Sequence, residues 1–250
     1  MAQHLFDRIR AALLHGAISG FVLLGAAALV LLLWYPHPLA ELSGGTRLMG
    51  LLMCVDFALG PLLTLLIFDR RKRRAELKRD VVVVICLQVA ALGYGLYVAF
   101  QARPLYIVFE YDQFRIIHAR DLNSSSQLEG LPWQGPKLLA LKTVPADHRE
   151  RMLFAELSGT PLAAQPSLWQ PYELAAIDVK ARAKPLHDVA KSYPAVWGAI
   201  GGSDQEVAGI SPSDIGCLPV IGKNLQYGMA LVSLLDGRLL RIVLVDYQAG

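Results

Sequence analysis

The residue with the least ordinary setting is Asp56, which stands inside the otherwise apolar run LMGLLMCVDFALGPLLTLLIF from Leu48 to Phe68. A carboxylate in such surroundings can hold a hydrogen-bond donor, relay a proton or stay neutral. Other reactive groups are sparse. His118, His148 and His187 are scattered, and the sequence contains no H-E-x-x-H, no paired metal-ligand spacing, no G-x-S-x-G and no phosphate-cradling glycine loop. No metal or other cofactor is therefore expected. The sharpest enzymatic possibility is a thiol nucleophile, Cys217, with His187 as its base. A lone cysteine in the apolar segment CLPVIG reads instead as a small core residue. The neighbours Asp147–His148 and His187–Asp188 would point apart on a helix, so both read as solvated surface.

The elements that position these residues follow from composition. The chain has 250 residues, 54% hydrophobic and 18% charged, whereas soluble domains run at about 45–50% and 25%. Both departures point to lipid. The excess is concentrated in three runs, giving spans at about 14–35, 48–68 and 81–100. Each can cross the ~30 Å hydrocarbon layer at 1.5 Å per residue. The first run is longer than a signal-peptide core and ends in WYPHPL, with Trp34 and Tyr35 placed as an interfacial belt, so it reads as a retained helix.

Orientation follows from the connections. Between the second and third runs lies DRRKRRAELKRD, which carries Arg70, Arg71, Lys72, Arg73, Arg74, Lys78 and Arg79, while Pro36 to Arg47 holds only Arg47. The positive-inside rule places the basic connection and the N-terminus in the cytoplasm, and the C-terminal part outside, which in a bacterium is the periplasm. These cations read as topology determinants with some attraction for anionic membrane lipid. Residues 81–250 hold 14 Lys+Arg against 15 Asp+Glu, so no nucleic-acid partner is expected. The short cytoplasmic segments leave no room for a signalling output domain.

The chain thus divides into a three-helix membrane domain, 1–102, and a periplasmic α+β domain, 103–250. In the latter, Leu105–Glu110 and Phe114–His118 read as a hairpin. YGMALVSLL and RLLRIVLVDY read as a second, turning at Asp236-Gly237. Helices are expected over 146–157 and 172–184, the latter stopped by Pro185. The Ser-, Gly- and Pro-rich stretches 122–136 and 158–171 read as loops.

Within the membrane, helical rise puts Asp56 about 12 Å from the outer end of its span, near the bilayer centre, with Gly60-Pro61 interrupting the helix one turn later. Gln88 and Tyr94 of the third span flank it in depth and are candidate hydrogen-bond partners. Small residues (Gly20, Gly25 and Ala28; Ala90, Ala91, Gly93 and Gly95) allow close helix approach. They serve either internal packing or a groove for another helix. Cys54 and Cys86 differ by about 12 Å in depth, beyond the reach of a disulfide.

Taken together, YPHPL after the first span, Asp56 before Leu59-Gly60-Pro61-Leu62-Leu63-Thr64-Leu65, Arg79-Asp80, Gln88 with Ala91-Leu92 and Tyr94-Gly95, and Arg103-Pro104 leading to Phe109-Glu110 resemble the TfpX/TfpZ type IV pilin accessory proteins. The resemblance is dense over roughly 35–120. It implies a non-enzymatic inner-membrane protein that helps a cognate type IV pilin accumulate or assemble, with Asp56, Gly60, Pro61, Gln88 and Tyr94 as candidate contacts for the pilin's apolar helix. A membrane-anchored periplasmic enzyme and a proton-coupled component using Asp56 are the alternatives, and a homo-oligomer is left open.

Overall fold

A computed structural model describes residues 2–68, 73–122, 131–133, 135–142, 161–203, 205–223 and 227–245. They form two compact units that interleave along the chain: 1–33 with 45–101, and 34–44 with 102–250.

The first unit is helical: α1 (Ala2–Leu29, widening into a π-turn at Val30–Trp34), α3 (Gly45–Ile67) and α4 (Arg74–Gln101). Each is long and apolar enough to cross a membrane, where a helix satisfies its own backbone N–H and C=O groups. The helix α4 begins at Arg74, about two turns before the apolar run at Val81. The segment RAELKR is rich in good helix formers, so the helix extends past the hydrocarbon boundary. Arg73, Arg74, Lys78 and Arg79 are all exposed there, while Arg70, Arg71 and Lys72 lie outside the described residues.

Helix α3 packs against both α1 and α4, which barely meet each other. Close approach uses glycines. A Cβ on Gly16 would stand 3.2 Å from Pro61 Cγ, and one on Gly20 3.5 Å from the Phe57 ring. The proline that costs α3 a hydrogen bond is thereby seated in α1. Gly95 of α4 receives Leu52, whereas Gly25 and Gly93 face open space.

The second unit is built on one mixed sheet. Its strands are β1 (Pro104–Glu110), β2 (Gln113–His118), β3 (Lys137–Leu141), β4 (Trp169–Pro171), β5 (Lys184–Pro185), β6 (Ile215–Ile221), β7 (Tyr227–Ser233) and β8 (Leu239–Leu244). The order is β4-β3-β1-β2-β6-β7-β8, and β5 shares an edge of β6 with β2. Both expected hairpins form, β1–β2 and β7–β8. Gly237 takes φ 77° in the second turn, and a Cβ there would lie 2.9 Å from Ala176 Cα. Only glycine fits. The short helices are α2 (Leu39–Leu42), α5 (Ala176–Arg182), α6 (Leu186–Ser192) and α7 (Ala195–Ile200).

Two expectations need correction. The 172–184 helix is a 3-10 turn, Tyr172–Ala175, followed by α5, and it stops at Arg182. Pro185 biases Lys184 towards an extended backbone, and the pair goes to β6 opposite Cys217 and Gly216. The stretch 158–171 is not all loop, since Trp169–Pro171 is β4 against β3, fixed by Gln170 Nε2 donating to the Leu141 carbonyl at 3.0 Å. Strand β6 runs through CLPVIG despite Pro219. That proline falls between the residues paired with β5 and those paired with β2, where no strand on that edge requires its missing N–H. The helix expected over 146–157 lies outside the described residues.

The connector 34–44 belongs to the core of this unit. Tyr35 and Leu42 are fully buried, Leu39 and Leu42 pack with Phe109, Phe114 and Val232, and the Lys223 N–H donates to the Leu42 carbonyl at 2.8 Å. The Leu42 methyl groups lie 3.2 Å from where a Cβ on Gly228 would be. Burying a leucine from a distant segment makes the sheet depend on that segment. We expect Leu42→Ala to destabilise the second unit by roughly 2–5 kcal/mol, seen as early proteolysis within 102–250, whereas Leu32→Ala, at a position 74% exposed, leaves the cleavage profile unchanged.

Candidate functional site

The spacing of Asp56, Gly60 and Thr64, at i, i+4 and i+8, puts them on one face of α3. All three are buried. That face meets Gln88 of α4, whose carboxamide lies over Gly60 so closely that a Cβ there would overlap it. From this seat Gln88 reaches across to α1. Its Oε1 bonds His15 Nε2, and its Nε2 donates to Ser19 Oγ at 3.3 Å and to the Asp56 backbone carbonyl at 3.4 Å. His15 Nδ1 is 2.6 Å from Thr64 Oγ1. Donors and acceptors balance when the neutral imidazole carries its proton on Nε2 and Nδ1 accepts from the threonine hydroxyl.

The Asp56 side chain stands apart from this network. It is 6% exposed, and its Oδ2 is buried with no hydrogen-bond partner among the described residues. A carboxylate at this depth costs about 2.5–3.5 kcal/mol to insert, so an unmet acceptor is expensive.

Because α1 and α4 are joined mainly through Gln88, a cleft runs between them on either side of that bridge. One chamber, about 210 Å³, is walled by Ile18 and Val22 of α1 and Ile85, Val89 and Leu92 of α4, with Asp56 and Gln88 at its base. The other, about 270 Å³, runs from His15 and Thr64 towards Leu77 and Asp80. Their linings are almost wholly apolar.

Of the expected site residues, Asp56, Gly60 and Gln88 converge. Pro61 is turned to Gly16 of α1, and Tyr94 is 70% exposed with no hydrogen bond to Asp56. Helix geometry explains the latter, since six residues separate Tyr94 from Gln88, which rotates it about 120° around α4. His15, Ser19 and Thr64 were not anticipated. Their signal was available: Ser19 follows His15, and Thr64 follows Gly60, by one helical turn. Among the described residues, no group of His, Cys, Asp and Glu is arranged to hold a metal ion.

Cys217 is 2% exposed among Leu186, Ile215 and Leu231, and burial pushes its thiol up to about 12. No hydrogen bond joins it to His187, which lies exposed beside Trp197. All three cysteines are free.

A helical unit with three spans long and apolar enough to cross a membrane, a polar seam and an open apolar cleft, covalently continuous with an α+β unit, defines the class as a membrane protein with an attached mixed-sheet domain. A family model described as fimbrial assembly protein FimB matches residues 3–44. The fimbrial assembly proteins of Dichelobacter nodosus serogroups E1 and I are each 31% identical over 180 residues, covering 69% of this chain and 70% of theirs. That of serogroups C1 and C2 is 35% identical over 109 residues, 44% of this chain and 83% of its own. The chain belongs to the family of fimbrial assembly proteins. No solved structure matches it.

Two measurements test the site. Gly60→Ala should displace the Gln88 carboxamide and lower resistance to unfolding in micelles by roughly 1–3 kcal/mol, whereas Gly93→Ala, with nothing within 4 Å of the added methyl, should be neutral. In a Cys54→Ser, Cys86→Ser background, Cys217 should resist maleimide at neutral pH until the protein is unfolded, because the buried neutral thiol supplies almost no thiolate.

Proposed function

We propose that this protein is an inner-membrane accessory factor that stabilises a cognate type IV pilin and promotes its assembly into pili. It docks the pilin's apolar helix in the cleft between α1 and α4 and engages the pilin head with its periplasmic unit. The observation that carries the reading is the pairing of an apolar cleft with a buried, unpartnered Asp56 Oδ2 at its base. A guest helix bringing one hydrogen-bond donor would fill the first and satisfy the second. Membership of the fimbrial assembly family supports the same role, and an apolar helix is the guest an open intramembrane cleft accepts.

A proton relay through Asp56 fits less well. Gln88 reaches the Asp56 backbone carbonyl, not its carboxylate, and a carboxamide breaks a relay that needs exchangeable protons at each step. In the proposed orientation the basic run 70–79 is cytoplasmic and both 34–44 and 102–250 are periplasmic.

Deleting the gene should lower the abundance or surface display of one pilin while general secretion continues, and normal piliation would reject the role. Photo-crosslinkers at Val22 and Val89, on opposite walls of the cleft, should trap the pilin's apolar helix. An alkaline phosphatase fusion after Gly250 should be active and one after Arg74 inactive. With equal expression, Asp56→Asn should retain pilin, since it keeps an acceptor, and Asp56→Leu should lose it. Equal recovery with all three forms would remove Asp56 from the docking surface.

A further inference from the structure

Strands β2 and β6 run parallel but pair only at Phe114–Val220 and Arg115–Ile221. Past that point β2 continues to His118 with β1 on one edge and, among the described residues, no strand on the other, while the chain leaves β6 through Gly222 and Lys223. Diverging parallel strands leave backbone groups unpaired at their carboxyl ends, and such crevices are where sheets commonly hold ligands. Here the crevice is a cavity of about 250 Å³, and unlike the intramembrane clefts it is lined by charged and polar groups.

Among the described residues its charges do not cancel. Arg115 Nε donates to the buried Glu110 carboxylate at 2.7 Å. Lys223 Nζ stands 3.6 Å from Asp121 Oδ1, and Asp121 Oδ2 accepts from the His118 N–H and pairs with its Nδ1, both at 2.9 Å. Burial holds the His118 imidazole below its ordinary pKa, against the pull of Asp121, so it adds no charge at neutral pH. Those contacts neutralise two cations. Arg120 remains, exposed on the cavity wall and in no ion pair among the described residues.

We propose that this crevice is a binding site for a single carboxylate, held by the Arg120 guanidinium with Lys223 beside it. The excess of one positive charge among the described lining residues matches a monoanion, and the planar guanidinium fork matches a carboxylate. His118 and Asp121 act as positioning residues. They fix the turn that presents Arg120 and hold Lys223 at the mouth of the crevice. Small acids and the acidic side chains of peptides both carry this carboxylate, and the crevice reads the same group in each.

The test uses the full chain in detergent micelles, titrated with sodium propionate, with an acetylated and amidated Gly-Glu-Gly peptide, with inorganic phosphate, and with sodium chloride at matched ionic strength. Propionate or the peptide, up to about 50 mM, should give a saturable calorimetric signal that chloride does not. Saturation by propionate alone supports a free acid, and saturation by the peptide supports a chain-borne one. Arg120→Gln, at an exposed position that leaves the fold intact, should weaken binding about tenfold or more with an unchanged melting temperature. No saturable signal with either carboxylate, equal binding by wild type and Arg120→Gln, or tighter binding of phosphate than of propionate would overturn the assignment.

Discussion

A carboxamide placed among apolar helices has no water to fall back on, and the helical unit is organised around how Gln88 meets that demand. Its two functional atoms need partners on other helices, and reaching them requires that α3 bring its backbone close. Gly60 provides the space, because any side chain there would collide with the amide. From that seat one residue ties α4 to α1 through His15 and Ser19, and to α3 through the Asp56 carbonyl. Each such bond is worth only about 0.6–1.7 kcal/mol between helices in lipid. Their value lies in position. They pin α1 to α4 at one level and leave the rest of that interface open.

Much of this arrangement was legible in the sequence, for identifiable reasons. Asp56 and Gln88 are conspicuous because each is a strongly polar residue in a long apolar run, and helical rise alone places them at similar depth. Azimuth is harder. Depth made Tyr94 as good a partner as Gln88, and only the rotation around α4, which depends on how that helix packs, separates them. His15, Ser19 and Thr64 escaped notice because none carries a fixed charge. Each becomes informative only when read at four-residue spacing with a neighbour. The small-residue stripes are similarly ambiguous: Gly20 and Gly95 accept side chains from α3, Gly25 and Gly93 accept none, and Gly16, outside the stripe, seats Pro61.

In the second unit, local signals served local structure. The two hairpins form where alternation and turn residues announced them, since pairing between adjacent strands is decided by short-range geometry. What failed was anything dependent on distant partners. No reading of the chain alone assigns β6, because its Pro219 is tolerated through two different strands sharing that edge without covering it. The connector 34–44 reads in isolation as a short loop with an aromatic belt. It becomes core only when Leu39 and Leu42 meet Phe114 and Val232, residues well down the chain.

On the proposed function, the helical seam divides stability from recognition. If every polar atom in it were satisfied internally, the unit would gain rigidity but would present an apolar guest with nothing to distinguish it from lipid, since hydrocarbon tails fill an apolar cleft as well as leucine does. If none were satisfied, insertion would be too costly. Here His15, Thr64, Ser19 and Gln88 satisfy one another, and among the described residues of the seam the unmet requirement falls on Asp56 Oδ2, at the base of one chamber. Lipid cannot supply the donor it lacks. An acceptor of that kind penalises the empty or lipid-filled state more than the state with a complementary helix bound, so on the proposed function discrimination comes from an unpaired group rather than from an added contact.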